Sequence, residues 1–270
     1  MVRKCQQAPP AARRRWRGFV VAAVALFTFA SPGAARAEDL FEIQVFHARV
    51  NPEGHPGVEL HSNWVARGAL RTPDGEASTQ RVLYEMVEPT YGFARGWEIG
   101  AHFQQSFGPD GAPRWGGAKL RVMTLLPDAH GAALHLALNV EGGFQPAHID
   151  RARWSTELRP VIEWVLGRFD LDFNPIIAFA WRGEHAGVPQ LQPAVSARYT
   201  VGDAVAPGAE YYAQLGPVTG FPALRDQRHY VLATADVVLW PEWILHGGAG
   251  RGLTDASSHW VVTSIVGHIF

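Results

Sequence analysis

The residues of this chain that offer chemistry are its histidines, the serines beside them and a long series of carboxylates. Hydrolysis by a serine needs a histidine within hydrogen-bond reach and a third group to orient it. His61-Ser62-Asn63 places the first two side by side. On an extended strand adjacent residues point to opposite faces, so His61 cannot activate Ser62. Ser257-Ser258-His259 puts Ser257 and His259 on one face, but at a loop edge and in reversed order. His47, His55, His61, His102, His135 and His246 are scattered singly and show no metal-ligand spacing. The single cysteine, Cys5, lies near the start, and no glycine-rich phosphate loop is present. No catalytic residue, metal centre or cofactor is expected.

The polar residues gain meaning from the elements that must carry them. From Trp154 to Leu166 one face reads Trp, Thr, Leu, Pro, Ile, Trp, Leu, and the other reads Ser155, Glu157, Arg159, Val161, Glu163. The stretches 168–182, 189–201 and 132–142 alternate in the same way. This is the period of a strand with one oily and one strongly polar face. Thirteen such stretches follow one another, at 41–50, 58–68, 80–88, 96–107, 116–126, 132–142, 152–166, 168–182, 189–201, 206–216, 228–239, 242–251 and 258–270. Their length suits a tilted membrane crossing of roughly 9–11 residues better than a soluble strand of about 5–6. Tight connections near 89–95, 127–131, 167, 202–205 and 240–241 alternate with longer, Gly-, Pro- and Asp-rich ones. Short turns on the periplasmic side and longer loops outside are the pattern of an outer-membrane barrel, whose strand count is even. The expected fold is all-β: a single antiparallel up-and-down transmembrane β-barrel of about twelve strands, spanning 58–270. Residues 38–57 are left as an N-terminal segment in the lumen, under the barrel, or as a bent prelude to the first strand.

The inward faces then carry Glu59, His61, Glu98, His102, Lys119, Arg121, His135, Glu141, Glu157, Arg159, Glu163, Asp170, Asp172, Arg198, Glu210 and Asp236. Asn63, Gln104, Asn139, Asn174, Gln192, Glu242 and His246 share those faces. Two readings stand. These residues fill and stiffen the interior as a bonded network, or they line a narrow, acid-leaning pore for small solutes. Trp97, Trp164, Trp240 and Trp243 lie beside the tight turns, and Trp115, Trp154, Trp181 and Trp260 beside the longer loops. Two such bands are expected of an aromatic girdle at the two water–lipid boundaries.

Residues 1–37 read as a secretory signal peptide. A basic start is followed by an apolar run from Phe19 to Ala30 and an Ala35-Arg36-Ala37 site, with cleavage expected after Ala37. These residues hold seven of the 24 Lys and Arg and none of the 25 Asp and Glu, so the remainder carries a net charge of about −8. With Lys119 its only lysine, it is a poor partner for nucleic acid. The chain stops on Phe270 at the close of a β-branched, aromatic stretch. That ending resembles bacterial outer-membrane barrels, and it implies the barrel-assembly machinery and outer-membrane lipids as partners, with Phe270 the assembly signal. Glu88-Pro89-Thr90-Tyr91-Gly92, Trp97-Glu98-Ile99-Gly100, Gly117-Ala118-Lys119-Leu120-Arg121 and Phe169-Asp170-Leu171-Asp172-Phe173-Asn174-Pro175 go further. They are similar to proteobacterial barrels grouped with the phenol-degradation-pathway (MetA-type) outer-membrane transporters. The resemblance implies passage of a small polar or aromatic solute. A structural or interaction barrel with a plugged lumen is the alternative, and a lipid-modifying hydrolase a distant one.

Overall fold

A computed structural model of the chain describes residues 39–69, 77–127, 133–150, 153–182, 186–240 and 242–270. The expected leader, its cleavage point and Cys5 lie outside the described residues. The strands are β1 (Pro56–Arg67), β2 (Val82–Ala94), β3 (Trp97–Phe107), β4 (Pro113–Leu125), β5 (Leu134–Phe144), β6 (Trp154–Leu166) and β7 (Phe169–Arg182). They continue with β8 (Gln190–Tyr199), β9 (Val205–Gln214), the two-residue β10 (Gly216–Pro217), β11 (Arg228–Trp240), β12 (Trp243–Gly252) and β13 (Trp260–Ile269). Twelve of these form a closed antiparallel barrel, and β10 is a short addition paired to the start of β8. Among the described residues no helix is long and apolar enough to cross a membrane.

Closure comes from the last strand pairing with the first, in register from Gly57↔Ile269 to Val65↔Val261. The amide of Phe270 completes the seam by donating to the Pro56 carbonyl at 2.9 Å. Each strand's backbone groups are thereby satisfied by two neighbours, which a lipid environment demands. Tight turns recur at one end. Gly96 and Gly167 turn the chain there with φ of +76° and +69°, a region that side-chain-bearing residues avoid. The β4–β5 connection at that end spans 126–133, longer than the tight turn the sequence suggests, and part of it lies outside the described residues.

The alternation is inverted relative to a soluble sandwich. Phe103 is 50% exposed while His102 and Gln104 on either side are fully buried. Leu120, Ile99, Val140 and Leu171 also face outward, whereas Lys119, Arg121, Asn139 and Asp172 are buried within the bore. Oily surface outside and charge inside suit a barrel whose solvent is lipid. The eight tryptophans expected to form the girdle are exposed: Trp115, Trp154, Trp181 and Trp260 at strand ends beside the long loops, Trp97, Trp164, Trp240 and Trp243 beside the tight turns. Trp64 also faces out, three residues from the long-loop end of β1, opposite Leu83 and Val262.

Candidate functional site in the barrel lumen

The bore is occupied by the chain itself. Residues 39–51 run through it from the long-loop end to the tight-turn end, with a turn at Leu40–Phe41 and a bend at Ala48, and join β1 below. Of the stretch 38–57, residues 39–51 lie among lumen side chains, 52–55 form an exposed turn and 56–57 open β1. The stretch 41–50 alternates like a strand, yet it pairs with none. Its backbone groups need partners, and lumen side chains supply them. Asn63 donates to the Leu40 and Phe41 carbonyls at 2.9 and 3.0 Å. Asn174 accepts from the Phe46 amide at 2.7 Å and donates to its carbonyl at 3.0 Å. Glu163 takes the Ala48 amide at 3.2 Å and Glu98 the Asn51 amide at 2.7 Å. At the exit, the Asn51–Pro52 backbone leans so closely on Gly92 that a Cβ there would collide with it.

Side chains of the segment lock into the wall in three zones. Toward the long-loop end Leu40, Phe41 and Ile43 are buried against inward-facing Val65, Val82, Tyr84, Met86, Tyr230, Leu232 and Val261. This apolar zone departs from the uniformly polar lumen that the sequence suggests. Next, Lys119 Nζ meets Asp39 at 2.6 Å, Glu141 at 2.9 Å and Glu42 at 3.4 Å. Arg159 reaches Glu42 at 2.7 Å and Glu157 at 3.4 Å, and its guanidinium lies 4.2 Å over the Phe46 ring. Arg121 lies 5.5 Å from the same ring and bonds Glu88 and, at 2.8 Å, Glu98. Toward the tight turns Arg49 pairs with Glu163 at 2.9 Å and His47 with Asp172 at 3.0 Å. Arg198 bridges Asp172 at 3.2 Å and Asp236 at 2.5 Å, and His246 meets Asp236 at 2.7 Å.

Most of the residues named from sequence thus meet in one network. Glu59, His61, Glu98, His102, Lys119, Arg121, Glu141, Glu157, Arg159, Glu163, Asp172, Arg198, Glu210 and Asp236 all take part in lumen contacts. Asp170 and His135 share the inward faces of β7 and β5 near the tight turns. Glu242 does not join them: it sits exposed in the β11–β12 turn, because β12 starts one residue later, at Trp243. Glu88, Glu42 and Asp39 were missed by the sequence reading. Glu88 could have been found from its alternation with Val87, Tyr91 and Phe93, which face outward. The other two lie on the segment that no strand count could place.

Neither serine–histidine pair is assembled. Ser62 faces away from His61. Ser257 is buried, and its hydroxyl donates to the backbone carbonyl of His229 at 3.1 Å rather than to His259. Among the described residues, open space beside the segment includes a cavity of about 70 Å³ next to Ile43 and Gln44, bounded by Gln192, Tyr212, Tyr230 and Leu232, and one of about 50 Å³ against Leu40 and Phe41. Each has room for a few waters.

No family model matches the chain, and a search of curated proteins finds no relative by sequence. The fold has counterparts among solved structures. One is an outer-membrane channel from Pseudomonas putida F1, 13% identical, matched over 85% of this chain and 100% of that one at a TM-score of 0.51. Another is the KdgM porin, 8% identical, matched over 79% and 98% at a TM-score of 0.51. At these identities what is shared is the architecture, a closed barrel of the kind outer-membrane channels are built on.

Proposed function

We propose that this protein is an outer-membrane channel for small solutes, held shut by its own residues 39–51. The observation that carries the reading is the lumen. Below the apolar zone a continuous set of charged and amide side chains lines a bore wrapped in oily surface, and such an interior serves water and polar solutes once it is vacated. Carboxylates outnumber fixed cations there, so the open pore would favour cations. The apolar zone of Tyr84, Tyr230, Leu232 and Val261 at the long-loop end would let a small aromatic solute enter. That agrees with the transporters the sequence resembles. Outer-membrane lipids would surround the tryptophan bands, and the barrel-assembly machinery would act on the strand ending in Phe270. Export with cleavage after Ala37 belongs to the same reading.

The plugged structural barrel is favoured by one specific observation, the number of buried contacts that hold the segment. Planar-bilayer recording separates the two readings. The barrel lacking residues 1–37 is expected to be silent or to open briefly. A version that also lacks 38–50 is expected to conduct steadily and to favour potassium over chloride, with retained β-sheet circular dichroism as the folding control. Silence of both folded forms would establish the structural reading instead.

A further inference from the structure

We propose that Glu59, His61 and Glu88 form a binding site for one divalent transition-metal ion, zinc or a chemically similar cation, in the lumen wall, with His102 standing beside Glu88. The inference is independent of whether the bore conducts. Glu59 on β1 lies directly opposite Glu88 on β2. Like charges at directly opposed positions of an antiparallel pair repel, so this placement calls for a cation between them. His61 stands on the same face of β1 as Glu59, two residues on, and His102 reaches in from β3. The three ligands come from two neighbouring strands, so no local spacing in the sequence reveals them.

The distances suit a metal. His61 Nε2 lies 3.2 Å from Glu59 Oε2 and 3.5 Å from Glu88 Oε2, and His102 Nε2 lies 3.4 Å from that same Glu88 oxygen. Ligand atoms on a tetrahedral ion with bonds of about 2.0–2.2 Å stand about 3.3–3.6 Å apart. Both histidines are fully buried, and neither nitrogen of His102 nor Nδ1 of His61 has a hydrogen-bond partner. Arg121 grips the other oxygen of Glu88 and is itself held by Glu98, the outer support that orients a ligating carboxylate. Imidazole with carboxylate selects ions such as zinc, copper and nickel over calcium and magnesium. Glu59 keeps about a third of its side chain accessible, and Gly267 opposite it adds no side chain, which leaves a route in.

Charge makes the same point. Around this site Asp39, Glu42, Glu59, Glu88, Glu98, Glu141 and Glu157 face only Lys119, Arg121 and Arg159 as fixed cations. Two other triads of suitable side chains exist in the lumen, and each is already served by a cation. Lys119 stands 3.4 and 2.9 Å from Glu42 and Glu141 beside His102. Arg198 lies 3.1 Å from His47, and Arg49 lies 2.9 Å from Glu163. At Glu59–His61–Glu88 the fixed cation engages the far Glu88 oxygen and leaves the near one facing imidazole; Asp172 is split the same way between Arg198 and His47, but there Arg198 also lies 3.1 Å from the imidazole itself.

The test is equilibrium dialysis of zinc against the refolded barrel without residues 1–37, after chelator treatment, with bound metal counted by mass spectrometry. One ion per chain is expected. His61→Ala and the milder, isosteric Glu59→Gln should each weaken binding at least tenfold, while His47→Ala in the neighbouring triad should not. Cobalt in place of zinc should give the visible absorption of a four-coordinate ion, lost in His61→Ala. Absence of saturable zinc binding by the unaltered barrel overturns the proposal. So does binding that survives His61→Ala and Glu59→Gln unchanged, or that is lost instead in His47→Ala.

Discussion

Replacing Phe46 by alanine tests how firmly residues 39–51 are seated. The ring is buried, packs near Met123, Ala137 and Val161, and has the Arg159 and Arg121 guanidinium groups 4.2 and 5.5 Å from its centre. Removing a buried phenylalanine side chain costs about 3–5 kcal/mol, a figure that already includes stacking against neighbours. The truncation acts on the seated segment and leaves the ladders of the wall intact. The cost therefore falls on the equilibrium between seated and released segment. At tenfold per 1.4 kcal/mol, even about 3 kcal/mol raises the released population about a hundredfold. Hydrogen exchange reads this directly, because the Phe46, Ala48 and Asn51 amides are held only by lumen side chains. Their exchange should accelerate about a hundredfold while wall amides, such as those of the β6–β7 ladder, keep their rates. Unchanged exchange in the segment would refute a seat built on Phe46. Equal acceleration in the wall would show that segment and barrel unfold as one unit.

Asn174→Leu removes both bonds to the Phe46 peptide, and should speed release of the segment by the equivalent of about 1–3 kcal/mol in the same exchange measurement. Lys119→Met strips the ammonium from between Asp39, Glu42 and Glu141. It should lower the stability measured by urea unfolding by about 3–5 kcal/mol, with Lys119→Arg recovering part of the loss. Asp110 lies in the exposed β3–β4 loop, where the Ala112 amide and then Arg114 hold its carboxyl below the usual range. Its contribution is present at neutral pH and lost on acidification, and being fully solvated, Asp110→Asn should leave the melting temperature unchanged.

The wall of the barrel is legible because lipid imposes one rule on every residue of it. Outward positions must be oily and inward ones need not be, and the period of two follows from the pleat. Trp154 to Leu166 shows the rule at full length, and Ser155, Glu157, Arg159, Val161 and Glu163 are all buried inside as the alternation requires. Where the rule weakens, so does the reading. Near the long-loop end Val65, Val82, Met86 and Val261 face inward as hydrophobes, because there the lumen meets Leu40, Phe41 and Ile43 rather than water. Nothing in their own strands marks this, since either face is then oily. The partners of Glu163, Lys119 and Arg159 were likewise hidden, because they lie on a segment more than sixty residues away in sequence whose placement is set by tertiary structure alone.

That segment explains the composition of the lumen better than the barrel does. Residues 41–50 have the pattern of a strand, but a closed barrel has no edge left to pair with. An extended chain inside it therefore brings a row of unsatisfied amides and carbonyls into a dry space, and each must be met by a side chain. Asn63, Glu98, Glu163 and Asn174 meet six of these groups from four different strands. A barrel that merely stiffened its interior could pair its charges wall to wall and would have no need of an asparagine aimed at a foreign peptide group. The presence of Asn174, bonded to both sides of one residue of the segment, points to a wall shaped to hold this piece of chain. Because every bond it offers is one that water can also supply, the same wall can release it.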